Sequence, residues 1–505
     1  AQETGADILW DMPPDKIHAD RMGRALDAFF EQRHSILGQL ALHVSREFDG
    51  PLDEIHYDPT HLLFTGVYED AQAREGVVDR SGEEILVRSD EALDAAHITK
   101  GRATDDAPKG SQMIHAGLCN YVDECGPLPF FGHTVDGNQN GRTAVDEQLA
   151  LIRKHLKLNQ MTMISDRGTF SVGHLLRLKD ADSYAICSAP WGEFKDLFDK
   201  QRKKLTWKKA SYLSIEQRRR RDTGSQLPQE HYELAVLRHR LTDDDTGREI
   251  ACRVIFVFST ADQKVAAKSR EKSVAKIRAG LTELARSVAD GRRNTDPTSV
   301  ARRVSKLFGK RQAAGYFTYD MIPLTKKERE RLPTPGRGCK RPTHRFEFIY
   351  DEKAAELDAE YDGYSVLVTT ASRTQSADLI FSKYKQQSHS ELANHEFKTP
   401  LAVHPVFLKS PRRVEALVFL LMVTLTLYFL LQRIYRQNVP TGAPIKEKRT
   451  TTQTILRAFN NYTLIIHRTR LGREVQPTRL TTRQREILQQ LGFDTPAQIL
   501  SRRLP

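Results

Sequence analysis

Tyr384, Gln387, Glu391 and Lys398 stand at successive spacings of three, four and seven. An α-helix turns about 100° per residue, so the four fall within roughly 60° of one another on one face. They form a stripe of a ring, an amide, a carboxylate and an ammonium. One reading is an ordinary solvated helix face. The other is a catalytic helix, with a metal-binding carboxylate flanked by phosphate-binding groups. Two aspartates upstream make the second reading worth pursuing: Asp58 in IHYDPTHLLFTG, and Asp166 in MTMISDRG. Cutting a phosphodiester needs an activated water and a stabilised leaving oxygen, and two Mg²⁺ ions about 4 Å apart do both. Hard cations take oxygen ligands, so such chemistry requires no His or Cys. Taken singly, each has a plain explanation. Asp58 precedes Pro59 and fits a turn, Asp166 fits a turn cap, and Glu391 fits a helix surface. Glu396 competes with Glu391, but only Glu391 keeps the six-residue gap to Lys398. His389 and His395 lie near the stripe and read as polar surface or DNA-facing residues.

The elements around these residues alternate. Residues 1–50 read as helical, with apolar residues recurring at three and four. A strand carrying Asp58 follows, and the charged segment 81–110 reads as loops. SQMIHAGLCNYVDECGPLPFFGHTVDGN predicts two strands joined by a turn at ECGP. RTAVDEQLALIRKHLKL predicts an amphipathic helix, and MTMISDRG a short strand ending at Asp166. This is an α/β pattern with a site at strand edges. From 193 to 372 short strands (IACRVIFVFST, GYSVLVTTA), basic runs and one strong helix are mixed, which predicts a separate insertion. RLPTPGRGCKRPTHR reads as a linker. The polar tail ends in LTTRQREILQQLGF, a helix with a Thr cap.

Composition bounds the possibilities. A chain of 505 residues implies two to four domains. A formal net charge of +12 and a pI near 9.3 favour a polyanionic partner. The five cysteines (Cys119, Cys125, Cys187, Cys252, Cys339) form no CxxC pair, which argues against a zinc ribbon and for a reducing compartment. The acidic N-terminus lacks the apolar core of a signal peptide. It starts without Met, so a missing start is expected. The uncharged run Ala416 to Leu431 is 16 residues, short of the ~20 a membrane span needs, and is read as a buried core helix.

The pattern Tyr384-x2-Gln387-x3-Glu391-x6-Lys398 resembles the YREK signature of DDE-class bacterial insertion-sequence transposases, the insertion-sequence-four superfamily. HYDPTHLLF resembles that family's first-aspartate strand and ISDRGTFS its second-aspartate motif. GHTVDGN and LAVHPVFLKSPRRVEALVFLLMVTL resemble the segments before the second aspartate and after the signature. The resemblance covers roughly residues 20–495 and departs at Gln387, where the family has Arg. It implies an RNase H-like catalytic core interrupted by a large β-rich insertion, with helical N- and C-terminal segments. The implied boundaries are a helical segment 1–50 for end-DNA binding, core parts 51–192 and 373–440, the insertion 193–372, and a tail 441–505 suited to dimerisation. It further implies Asp58, Asp166 and Glu391 as catalytic metal ligands for two Mg²⁺ ions, with Mn²⁺ as a substitute. Tyr384, Gln387 and Lys398 would contact DNA phosphate. The partners would be terminal inverted repeats and target DNA, held by a homodimer in the bacterial cytoplasm at the nucleoid, with no membrane involved. The competing readings are an inactive DNA-binding relic and, further off, a membrane-anchored protein.

A basic stretch supplies a second candidate surface. Between Gln201 and Arg221, nine Lys/Arg stand against one Glu, with Trp207 and Tyr212 interleaved. Basic side chains neutralise phosphates and aromatic faces stack on unpaired bases. Arg218, Arg219, Arg220 and Arg221 are the densest part. By its place in the insertion alone, Trp207 is a candidate to hold a flipped base. Arg302, Lys306 and Lys310 repeat every four residues and form a second basic helix face.

Overall fold

The structure is a computed structural model. It describes residues 16, 18–48, 50, 52–66, 68, 77–78, 84–85, 95–101, 110–139, 141–158, 160–225, 230–292, 295–309, 311–333, 339–398, 408–469, 472–496 and 498. The start of the chain, most of the expected 81–110 loop, and residues 334–338 of the expected linker lie outside the described residues. The protein is mixed α/β, and its contacts divide it into two units. One comprises residues 1–196, 237–254 and 367–505; the other comprises 197–236 and 255–366.

The first unit opens with α1 (Ala19–Phe48), then β1 (Glu54–Phe64), the small pair β2 (Val77–Val78) and β3 (Glu84–Ile85), and β4 (Thr99–Lys100). Next come β5 (Gln112–Asp123), β6 (Gly126–Asp136), α2 (Gly141–Leu156), β7 (Thr162–Ser165), α3 (Val172–Asp180), β8 (Tyr184–Ala189) and α4 (Trp191–Gln201). The hairpin β5–β6 is tight, and Gly126 takes the left-handed conformation (φ 107°) that closes its turn. β1 runs antiparallel to β5 on one side and parallel to β7 on the other, and β7 runs parallel to β8. The sheet therefore changes from antiparallel to parallel across β1. Parallel neighbours need crossover helices, and α2 and α3 provide them.

The second unit takes in the end of α4, then β9 (Lys208–Lys209), α5 (Ile215–Asp222) and the first half of β10 (Tyr232–Thr242). It continues with the end of β11 (Glu249–Ser259), α6 (Thr260–Ala289), α7 (Pro297–Phe308), β12 (Phe317–Pro323), α8 (Lys326–Arg331), β13 (His344–Tyr350), α9 (Glu352–Ala359) and the start of β14 (Tyr364–Thr369). The remaining parts of β10, β11 and β14 belong to the first unit. The expected β-rich character is corrected here. The core is helical, with Ile277, Leu281, Leu284 and Val288 of α6 and Val300 and Val304 of α7 packed on the single hairpin β12–β13. The reason lies in α6, where 30 residues free of Gly and Pro except Gly280 sustain one helix capped by Ser259.

The chain returns to the first unit with α10 (Ala377–Lys385), α11 (Gln387–Lys398), α12 (Pro411–Asn438), α13 (Ile445–Lys448), α14 (Thr452–Arg457), β15 (Leu464–Thr469), β16 (Gly472–Pro477) and α15 (Thr482–Leu491). By length and composition α12 could cross a membrane. It lies instead against α1 and β6, burying Val414, Val418, Phe419, Met422, Leu425 and Phe429. Gly132 on β6 allows this approach: a Cβ there would meet the Met422 sulfur at 2.8 Å. Polar pins hold both ends. Arg33 of α1 bonds Glu415 at 2.7 Å, and Arg433, 3% exposed, forks onto Asp123. Unpaired, such charges would be costly to bury. The tail folds back onto α12, since Ile487 and Leu491 of α15 pack with Tyr435 and Val439.

Candidate active site

Register places the two aspartates. The β1–β7 pairing ends at Tyr57 opposite Ser165, and the β7–β8 pairing ends at Ser165 opposite Cys187. The next residue on each strand is Asp58, Asp166 and Ser188, in that order across the sheet. Parallel strands lie about 4.8 Å apart, so the three form a row where the parallel pairing ends. Asp58 was expected at a strand end or turn. It lies mid-strand, because β1 continues along β5 after leaving β7. Asp166 leaves β7 and caps the turn Arg167–Thr169, its carboxylate accepting from the Arg167 amide at 2.6 Å. Thr169 ties that turn back to Ser165, hydroxyl to hydroxyl at 2.8 Å.

The helix stripe arrives in two pieces. One continuous helix was expected, but α10 and α11 meet at Gln386, whose amide bonds back to Lys383 and Tyr384 in a tightened turn. Tyr384 therefore belongs to α10 and the other three to α11. Lys383 forms an ion pair with Glu54 at the start of β1, fastening α10 there. Tyr384 hydrogen-bonds Ser188, the third member of the row, and burial pushes its hydroxyl up to about 12, with Asp166 and Glu391 adding to the rise.

Gln387 is a correction to the phosphate-contact expectation. It is 7% exposed, and both ends of its amide are used on β1. Its Nε2 donates to the Tyr57 carbonyl at 3.0 Å, and its Oε1 stands 3.1 Å from His56 Nδ1. The residue latches α11 to the strand that carries Asp58. A neutral amide can do this where a charge would have to be buried. His56 fits that environment, as burial holds it near 4 and hence neutral. Nothing in the sequence pattern marked this inward orientation, since helical spacing does not say which face is covered.

Asn394 is the residue that sequence reasoning missed. Its Nδ2 donates to Asp58 Oδ2 at 2.8 Å, and its buried Oδ1 has no protein partner among the described residues. The available signal was its place three residues after Glu391, one helical turn along the same face.

Electrostatics tie the carboxylates together. Asp58 is raised from 3.8 to about 7, chiefly by burial and then by the charges of Asp166 and Glu391; Asn394 and Lys398 pull the other way. Glu391 is raised by partial burial and by Asp166. The structure thus brings Asp58, Asp166, Glu391, Tyr384 and Lys398 into one electrostatic neighbourhood. Asp166 and Glu391 are exposed on its rim, and Asp58 lies deeper. Among the described residues, no group of three His, Cys, Asp or Glu converges tightly enough to hold a metal ion. The three groups carry the oxygen donors a hard cation takes, and the charges of Asp166 and Glu391 oppose ionisation of Asp58.

In the second unit, α5 carries Arg218, Arg219, Arg220 and Arg221. Arg220 pairs with Glu216 at 2.8 Å, and the Arg218 guanidinium lies 5.7 Å from the Tyr212 ring. Trp207 is half-buried in an aromatic cluster, 5.7 Å from Tyr364 and 6.5 Å from Phe198 between ring centroids. Arg302 and Lys306 are exposed on α7, as expected for a solvent-facing basic face; Lys310 lies outside the described residues. The five cysteines are free thiols. In comparisons with known proteins, no family model and no curated protein matches this chain.

Proposed function

We propose that this chain is a DDE-class transposase with an RNase H-like core, which cuts DNA strands at the ends of a mobile element and joins them to target DNA. The observation that carries the reading is the row Asp58–Asp166–Ser188 at the end of the parallel pairing, with Glu391 within electrostatic reach. A sheet that turns from antiparallel to parallel at the Asp58 strand supports the RNase H-like assignment.

Asp58, Asp166 and Glu391 would hold a divalent cation, Mg²⁺ or Mn²⁺. When bound, it supplies Lewis-acid activation of water and of the scissile phosphate. Asn394 orients the Asp58 carboxylate, and the turn at Asp166 fixes the second. Gln387 sets the height of α11 over β1 and so the reach of Glu391. Lys398 and the Tyr384 hydroxyl donate to phosphate oxygens. In the cut, a water oxygen bonds to phosphorus while the P–O3′ bond breaks, and the leaving oxygen is protonated to a 3′-hydroxyl. In joining, that hydroxyl attacks a target phosphorus and one target P–O bond breaks, so phosphodiester bonds are conserved. A homodimer would hold the two inverted repeats at the nucleoid.

A marked element with its native flanking DNA tests this in cells. Movement with the wild type and none with Asp166→Ala supports the reading. Movement that survives Asp166→Ala removes it. A protein that shifts end DNA in a gel but never cuts it would be the inactive relic.

A further inference from the structure

A cleft of about 490 Å³ opens in the first unit away from the carboxylates. It is lined by Arg238 and Arg240 of β10, Arg253 of β11, and the segment Thr369–Arg373 at the end of β14. Four of its eleven lining residues are arginines and none is acidic. We propose that this cleft is a second DNA-binding site, which grips the phosphodiester backbone of a duplex independently of the cutting site.

The site is built rather than incidental. Arg253 is half-buried and donates to the carbonyls of Ala371, Ser372 and Gln375 at 3.2, 2.9 and 2.7 Å. Those bonds fix the turn that carries Arg373, so its charge is presented without a large ordering cost. The same turn is tied to β8: Thr370 N donates to the Ala185 carbonyl at 3.1 Å and Thr369 Oγ1 does so at 2.7 Å. Burial and the neighbouring Arg373 push the Arg253 guanidinium down, a sign that positive charge is crowded there. Arg240 has only an exposed pair with Glu249 at 3.3 Å. Among the described residues, Arg238 and Arg373 have no ion-pair partner. Like charges are held together in this way where an anion completes them.

The lining also selects the kind of anion. No Phe, Tyr or Trp and no large aliphatic side chain lines it, and His239 is its one ring, so a free nucleotide or an unpaired strand finds little platform for stacking its bases. The guanidinium groups of Arg238 and Arg240 on β10 and of Arg373 on the turn after β14, with hydroxyls of Thr370 and Ser372 among them, suit phosphates repeated along a duplex. The cleft sits beside Ala185, whereas Ser188 of the same strand faces the carboxylates. Three residues of strand separate them, about 10 Å.

The test uses the full chain, a short labelled duplex of arbitrary sequence, and fluorescence anisotropy over a series of KCl concentrations. Arg238→Ala with Arg373→Ala should weaken binding about tenfold and flatten the log–log salt slope by about 2, the signature of two lost phosphate contacts. Arg292→Ala with Arg345→Ala, two salt-bridged surface arginines of the other unit, controls for net charge. If the double variant changes no more than this control, the inference falls. If pyrophosphate at matched ionic strength competes through the same two arginines and the duplex does not, the occupant is a small phosphate and the DNA assignment falls. Transposition is read separately, with the marked element and its native flanking DNA. Binding with the expected slope change but no movement of that element would remove the transposase reading and leave this site standing.

Discussion

Asp58→Asn should stabilise the fold at alkaline pH while abolishing strand cutting. The Asp58 carboxyl titrates near 7 in the folded chain instead of 3.8, because burial and the charges of Asp166 and Glu391 oppose ionisation. A raised carboxyl favours the fold fully while protonated in both states. That advantage disappears as pH climbs from the unfolded value towards 7, above which the folded state carries a constant penalty. At about 1.4 kcal/mol per pH unit the interval amounts to roughly 4 kcal/mol, and residual solvent access reduces it to about 2–4 kcal/mol. Asn has the same shape, stays neutral, and still accepts from Asn394. Urea denaturation in the absence of divalent ions should show near-equal midpoints for wild type and variant near pH 4, and a gap that widens up to about pH 8. Added Mg²⁺ should then stabilise the wild type more than the variant. An Asn variant no more stable than wild type at about pH 8, or a gap indifferent to pH, would refute the electrostatic account of the site.

Other expectations follow from individual contacts. Gln387→Ala strands the buried His56 ring and the Tyr57 carbonyl and should cost about 1–3 kcal/mol in a denaturant melt. Gln387→Arg should lower the melting temperature further, because its charge would enter a pocket holding a neutral histidine. Asp123→Ala leaves the Arg433 guanidinium buried without its partner and should cost about 3 kcal/mol, read by the same melt. Thr481→Ala removes the capping box that Thr481 forms with Gln484, a loss of about 1 kcal/mol measurable as a lower thermal midpoint. Detergent-free lysis should leave the protein in the supernatant; retention in carbonate-washed membranes would overturn the core assignment of α12.

Local patterns were legible wherever one face of an element is covered and the other is wet. The strand of Asp58, the β5–β6 hairpin with its ECGP turn, helix α2, the strand before Asp166 and the Thr-capped last helix all stand where periodicity and turn chemistry put them. The apolar run was read as a core helix because it falls short of a span, but the helix that carries it is 28 residues long, and it is the packing on α1 and β6 that places it in the core. The partition of the middle region was harder to read. Its basic runs, short strands and one strong helix suggested a separate insertion and the family resemblance a β-rich one, whereas a buried cluster of that unit packs α6 and α7 on the hairpin β12–β13. Amphipathic periodicity names a face without naming what will cover it.

The sequence by itself determined the inventory: three carboxylates in order, a tyrosine and a lysine at helical spacing, and an excess of positive charge. Register and packing decided how that inventory is used. Parallel pairing that ends at Tyr57, Ser165 and Cys187 sets Asp58, Asp166 and Ser188 side by side, although more than a hundred residues separate the first two. The turn at Gln386 split the stripe between two helices. Docking of α11 on β1 turned Gln387 inward and brought Asn394 onto Asp58. These outcomes depend on which surfaces lose water together, a property of the assembled fold that residue spacing does not encode.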